Sequence, residues 1–271
     1  MLMHTPVSLD GHKALQNMTL TSRYQQNPEP ELPMQLGSYY ERLIQQYLHQ
    51  SQDIIDLRSN IQVFEQQRTV GEFDFVWLDR HYDTHHMECA IKFYLCDGPP
   101  DQLSSFIGPN RQDTLLRKWQ QMVNKQIRLS STTQGIATCE RLGFPVPRHQ
   151  HLLIQGYLFY PWHRFHSANR SVLHPAINSQ HSRGWWLHQH ALRQQIPDRP
   201  DTALQIRHKP DWLLDWHKPP TQSRQEVDHW LSQTVRPVLV SRLEKVSKEN
   251  WRELDRGFVV PDTWSAPSEP E

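Results

Sequence analysis

Cysteine is scarce: the three copies, Cys89, Cys96 and Cys139, form no CxxC pair. An odd, scattered count argues against a disulfide framework and against a cysteine-based zinc site. An excess of charge of one sign is also missing, because Lys plus Arg and Asp plus Glu number 29 each. Any contact with a polyanion therefore needs a local basic patch rather than a global field. No apolar run approaches the roughly 20 residues that span a bilayer, so no membrane partner is expected. The opening MLMHTPVSLDGHKALQ lacks the charged start and apolar stretch of a secretory signal. These absences predict a soluble cytoplasmic protein. Internal repeats and low-complexity blocks are absent as well. The histidine clusters HYDTHH, HRFH and HQH lack HExxH spacing, and with 17 His close pairs arise by chance.

What is present begins with aromatic bulk. Ten Trp, nine Phe and eight Tyr carry much of the apolar volume of a 271-residue chain. That length suits one large domain or one and a half ordinary ones. Residues 1–34 show no clear periodicity and end in the Pro-rich connector QQNPEPELP. A helix is predicted over 35–50, where Leu36, Tyr40, Leu43, Ile44 and Tyr47 recur at helical spacing. Glu41 lies on the flank of that stripe. A strand follows within 53–67, then the two arms of a hairpin at 71–78 and 87–95. DGPPDQ breaks the chain, and RQDTLLRKWQQMVNKQIR, residues 111–128, reads as a basic helix. A strand is predicted over 154–162. Residues 163–225 mix His, Arg, Gln and Pro with isolated tryptophans, and a last helix is predicted over 225–246, bent near Pro237. This order predicts an α/β or α+β chain with a mixed sheet flanked by helices. The predicted core spans 35–162, followed by a helical, Trp- and His-rich C-terminal extension over 163–271.

The hairpin holds the candidate chemistry. Strand side chains alternate faces, so Asp74 shares a face with Val76 and Leu78, and Glu88 with Ala90 and Lys92. Two carboxylates and a lysine then meet across an antiparallel pair. Oxygen ligands suit a hard divalent cation such as magnesium, and a lysine stabilises charge developing on a phosphate. Apolar neighbours on those faces imply partial burial, and buried carboxylates need partners or a metal. Glu72 flanks Asp74 on the same face. Arg117, Lys118, Lys125 and Arg128 are the candidate phosphate contacts of the basic helix. Cys89 points away from Glu88, into the core.

The succession of helix Glu41, strand Asp74, strand Glu88 with a following lysine, and basic helix resembles the PD-(D/E)XK nuclease superfamily. The longer phrases LGSYYERL, GEFDFV, ECAIKFYL, IGPNRQD, GYLFYPW and RGFVVPDTW resemble an uncharacterised bacterial family, domain-of-unknown-function family 1853. The resemblance covers residues 35 to 264. It implies a restriction-endonuclease-like core and a nuclease dependent on Mg or Mn, with Asp74 and Glu88 holding the metal. It further implies that Lys92 supplies the catalytic cation, that Glu41 is the helix acid, and that Gln121 or Gln126 takes a helix-glutamine position. The superfamily places its lysine two residues after the acid. Here that position is Ala90, and Lys92 lies ~6.6 Å further along the strand at about 3.3 Å per residue.

Two rival readings stand beside this one. The first is a non-catalytic module on a degenerate nuclease scaffold, binding nucleic acid or a protein partner without cleaving it. The second is an unrelated α+β protein whose acids merely satisfy a hairpin.

Overall fold

The structure, a computed structural model, describes residues 7–8, 35–167, 172–209, 211–247 and 249–264. Apart from Val7–Ser8, the expected N-terminal segment and Pro-rich connector lie outside the described residues. The chain is α/β, with a mixed sheet flanked by helices. It divides into two compact units. One comprises Met1–Lys92 with Leu116–Gln155, the other Phe93–Leu115 with Gly156–Glu271. The expected boundary between residues 162 and 163 falls inside the second unit.

In the first unit, strand β1 (Val7–Ser8) pairs antiparallel with β6, the strand His149–Pro161. Helix α1 (Leu36–His49) buries Leu36, Tyr40, Leu43, Ile44 and Leu48, the stripe that three- and four-residue spacing brings to one face. Strands β2 (Ile54–Glu65) and β3 (Arg68–Asp79) form an antiparallel hairpin. Gln66 takes the positive φ, 55°, at its tip. Strand β4 (Thr84–Cys96) runs antiparallel to β3, with Val76 opposite His86 and Leu78 opposite Thr84. The connection is pinned by Asp79, whose Oδ1 accepts the backbone N–H groups of His81 and Asp83 at 2.8 and 2.9 Å.

The basic segment is helical but irregular. An α-turn stretch, α2 (Leu115–Gln121), passes into a π-helical turn, Met122–Gln126, and then a 3-10 turn, Ile127–Ser131. Helix α3 (Thr133–Arg141) starts where the Thr132 hydroxyl accepts the Gly135 N–H. Val63, Phe73, Val76, Leu78, Leu129, Cys139 and Phe144 close one core. Ala90, Met122, Ile127 and Leu152 close another, beneath the irregular helix.

In the second unit, β5 (Phe106–Ile107) lies beside the end of β4. The last part of β6 leads into a short helix, α4 (Trp162–Phe165). It runs parallel to β7 (Ser182–His188), and β7 runs parallel to β10 (Trp251–Val260). Beyond β10 the pairing is antiparallel, to β9 (Val238–Lys245) and then β8 (Thr202–Ile206). Helices α5 (Leu192–Gln195) and α6 (Arg224–Gln233) contribute Leu192, Val227 and Leu231 to a core around Trp185, Val240 and Val259. A Cβ on Gly257 would stand 2.1 Å from the Trp185 ring, so β7 and β10 approach this closely only with glycine there.

The helix expected over 225–246 is corrected: α6 ends at Gln233, and VLVSRLEK forms β9. Pro237 cannot continue a helix, and the β-branched valines beyond it suit a pleated surface. The extension is therefore not predominantly helical, since β7 to β10 lie within it. No described helix is long and apolar enough to cross a membrane.

Candidate functional site

The ladder between β3 and β4 is regular from Leu78–Thr84 to Phe75–Met87. Beyond Phe75 the two acids take over the strand hydrogen bonds. The Cys89 N–H donates to Asp74 Oδ2 at 2.8 Å, and the Asp74 N–H donates to Glu88 Oε1 at 3.4 Å. Two carboxylates thus occupy the place where the pairing gives way.

Glu88 is completely buried. Its Oε2 accepts the Gln126 side-chain N–H at 2.9 Å, and its Oε1 lies 2.9 Å from His86 Nε2. On the far side of that imidazole, Nδ1 lies 2.9 Å from Ser130 Oγ. The Ser130 hydroxyl donates to the Ile127 carbonyl and accepts an N–H from Gln150. Its single proton is therefore used, so Ser130 receives the Nδ1–H of His86. Neutral His86 then presents a bare Nε2, and Glu88 holds a proton toward it.

The electrostatics agree with that arrangement. Burial pushes Glu88 up to about 8, against the Asp74 N–H, Lys118 and Gln126. Burial pushes His86 down to about 4, so it is uncharged near neutral pH. Asp74 is raised to about 7, by burial first and the Glu88 charge second, against the Cys89 N–H and Lys118. Glu41 on α1, half-buried, is raised by burial and by Asp74 and Glu72, and lowered by Lys118. Burial and the same acids raise the Cys89 thiol well above its ordinary range, so it offers no thiolate.

Of the residues named from the sequence, the structure brings Asp74, Glu88, Glu41 and Lys118 into one electrostatic neighbourhood, with Glu72 beside them. Gln126 joins by hydrogen bonding, while Gln121 is exposed. The cation among the main neighbours of all three carboxylates is Lys118. Its Nζ donates to Gln126 Oε1 at 3.2 Å. Lys92 is half-buried on β4, and Arg117, Lys125 and Arg128 are exposed. Sequence reasoning missed His86 and Ser130. The one signal for His86 was its place two residues before Glu88, on the same strand face.

A second polar cluster lies on the same unit. A cavity of 850 Å³ is lined by residues including Trp77, Asp79, His85, His149 and His151. His85 bonds Asp79 through Nε2 and His151 through Nδ1, both at 3.0 Å, and stacks on Trp77. Among the described residues, no group of three or more His, Cys, Asp or Glu side chains is placed to hold a metal ion.

No curated protein and no solved structure matches the chain. A family model described as Domain of unknown function (DUF1853) matches residues 9–260, and the chain belongs to that family.

Proposed function

We propose that the first unit carries a divalent-metal-dependent centre for phosphodiester hydrolysis, built on Asp74 and Glu88 with Glu41 in support. The observation that carries this reading is the pair of strand acids that replace the β3–β4 ladder. Both are pushed into the neutral range by burial, Asp74 also by the charge of Glu88. Burial disfavours the charged form of both acids, and a compensating positive charge would restore it. The donors fit Mg or Mn, because magnesium binds through one or two carboxylates and keeps the rest of its shell as water and phosphate oxygen. Two acids are therefore enough, without a three-ligand cage. Such a cation supplies an activated water and neutralises charge on the scissile phosphate. The protein's own share is to fix the acids. The Cys89 N–H holds Asp74 Oδ2 and the Gln126 amide holds Glu88 Oε2, with His86 Nε2 beside Glu88 Oε1.

One observation favours the second reading, a binding module without cleavage: both Glu88 oxygens already have partners inside the protein. A cleavage assay on linear, circular and single-stranded nucleic acids, with Mn or Mg, separates the two. Wild type is expected to cleave, and Asp74→Ala to lose at least about 100-fold in rate while remaining folded. Equal cleavage by the two proteins would remove the site from Asp74. Silence in both, with folded protein, would leave the binding module.

A further inference from the structure

Four carboxylates, Glu41, Glu72, Asp74 and Glu88, crowd this part of the first unit. An acid cluster repels a phosphodiester unless the protein also supplies a positive group. We propose that the π-helical turn Met122–Gln126 supplies it, by bringing Lys118 through Gln126 onto Glu88, so that Lys118 meets the scissile phosphate and Gln126 positions it. The inference rests on the hydrolytic reading of the same acids.

Lys118 and Gln126 are eight residues apart. In a regular α-helix that separation is about 12 Å along the axis and roughly 80° around it, so the two side chains do not share a face. Here they bond at 3.2 Å. An irregularity allows it: the helix changes from α to π at Met122 and to 3-10 at Ile127. Single π turns inside helices recur at functional sites. Met122 and Ile127 anchor the turn in the core with Ala90 of β4, which fixes Gln126 against Glu88.

Gln126 is oriented by its two partners. Its carbonyl oxygen faces the Lys118 ammonium, and its amide N–H faces Glu88 Oε2. A flipped amide would set N–H against the ammonium, so the side chain works as a one-way bridge. Lysine is a point charge with three donors, so Nζ can keep Gln126 while another N–H turns to a phosphate.

The test uses the full chain and a labelled oligonucleotide, in two arms. In EDTA, affinity is measured against salt. With Mn, kcat and KM are measured separately. Lys118→Met is expected to lower kcat about 100-fold or more and to make the salt dependence of binding shallower by about one phosphate contact. Lys118→Arg keeps the charge and is expected to keep the salt slope. Gln126→Leu leaves Lys118 charged but unplaced, so kcat is expected to fall about 10-fold with the slope unchanged. Lys118→Met behaving as wild type in both arms would overturn the proposal, as would these losses appearing in Lys92→Met alone. Wild type that binds in EDTA but never cleaves would sink the hydrolytic reading and leave Lys118 judged by binding. Wild type that neither binds nor cleaves would overturn both.

Discussion

At the scale of single residues, the informative unit is a protonated acid facing a neutral imidazole. Glu88 shifts from an ordinary 4.5 to about 8, and Asp74 from 3.8 to about 7. A raised acid contributes stability that is complete below its unfolded pKa and is lost as pH rises toward the folded one. Metal-free protein is therefore expected to weaken between about pH 4.5 and 8 and to level off above that. Glu88→Gln cannot ionise, so it should lack much of the slope. Urea unfolding of the two proteins at pH 5 and 8.5, in EDTA, measures the difference, expected on the order of 2 kcal/mol. Parallel stability profiles would show that Glu88 is already ionised in the folded state. These two acids were legible because strand alternation put each among apolar neighbours. His86 and Ser130 were not legible, because their roles depend on a hydrogen-bond path between elements 44 residues apart. The sequence offers Lys118 as one of four candidate phosphate contacts and does not single it out, since the 3.6 period gives no hint of a π turn.

At the scale of elements, the β3–β4 hairpin is what aims both acids, and its connection is held by one side chain. Asp79 accepts two backbone N–H groups through Oδ1 and the His85 ring through Oδ2. The His85 bond and those two amides hold its carboxyl below the usual range against the opposing effect of burial. Asp79→Ala removes three hydrogen bonds at once. It is expected to cost about 1–2 kcal/mol, by analogy with the loss of a capping acceptor. Asp79→Asn, which keeps an acceptor oxygen, should cost less. Chemical unfolding of the three proteins checks the order, and equal stability would mean that the turn forms without Asp79. α1 and the hairpin could be read from the sequence because their periodicity is unbroken: Leu36–His49 against an expected 35–50, and arms reaching Asp79 and starting at Thr84. The region after Gln233 could not. VLVSRLEK is short, half polar and free of a clear period, and only its pairing with β8 and β10 makes it a strand.

At the scale of the whole molecule, the two units bury charge in opposite ways. The first gathers four carboxylates near Lys118, with Asp74 and Glu88 pushed upward by burial, a common mark of a reactive site. The second encloses charge that is already paired. Glu253, nearly buried, receives Arg207 at 2.8 Å and Arg256 at 2.5 Å, and also accepts the Trp216 N–H. Arg207 further bonds Ser241 of β9, and Arg256 bonds Asp215 and the carbonyls of Trp212 and Leu214. This network ties the segment 211–216 to β9 and β10, with each charge already paired. Its expected role is scaffolding. Glu253→Gln leaves two buried guanidinium groups short of a counter-charge, which is expected to cost about 3 kcal/mol. The same variant is expected to cleave, or to bind oligonucleotide, as wild type does at a temperature where it is folded. The paired measurement is unfolding by urea and activity at 15 °C below the variant's own midpoint. Lost stability with retained chemistry would assign the second unit to support. Lost chemistry at full folding would instead place part of the substrate's binding surface in residues 156–264, where the sequence offered aromatic and histidine bulk but no acid cluster to locate it.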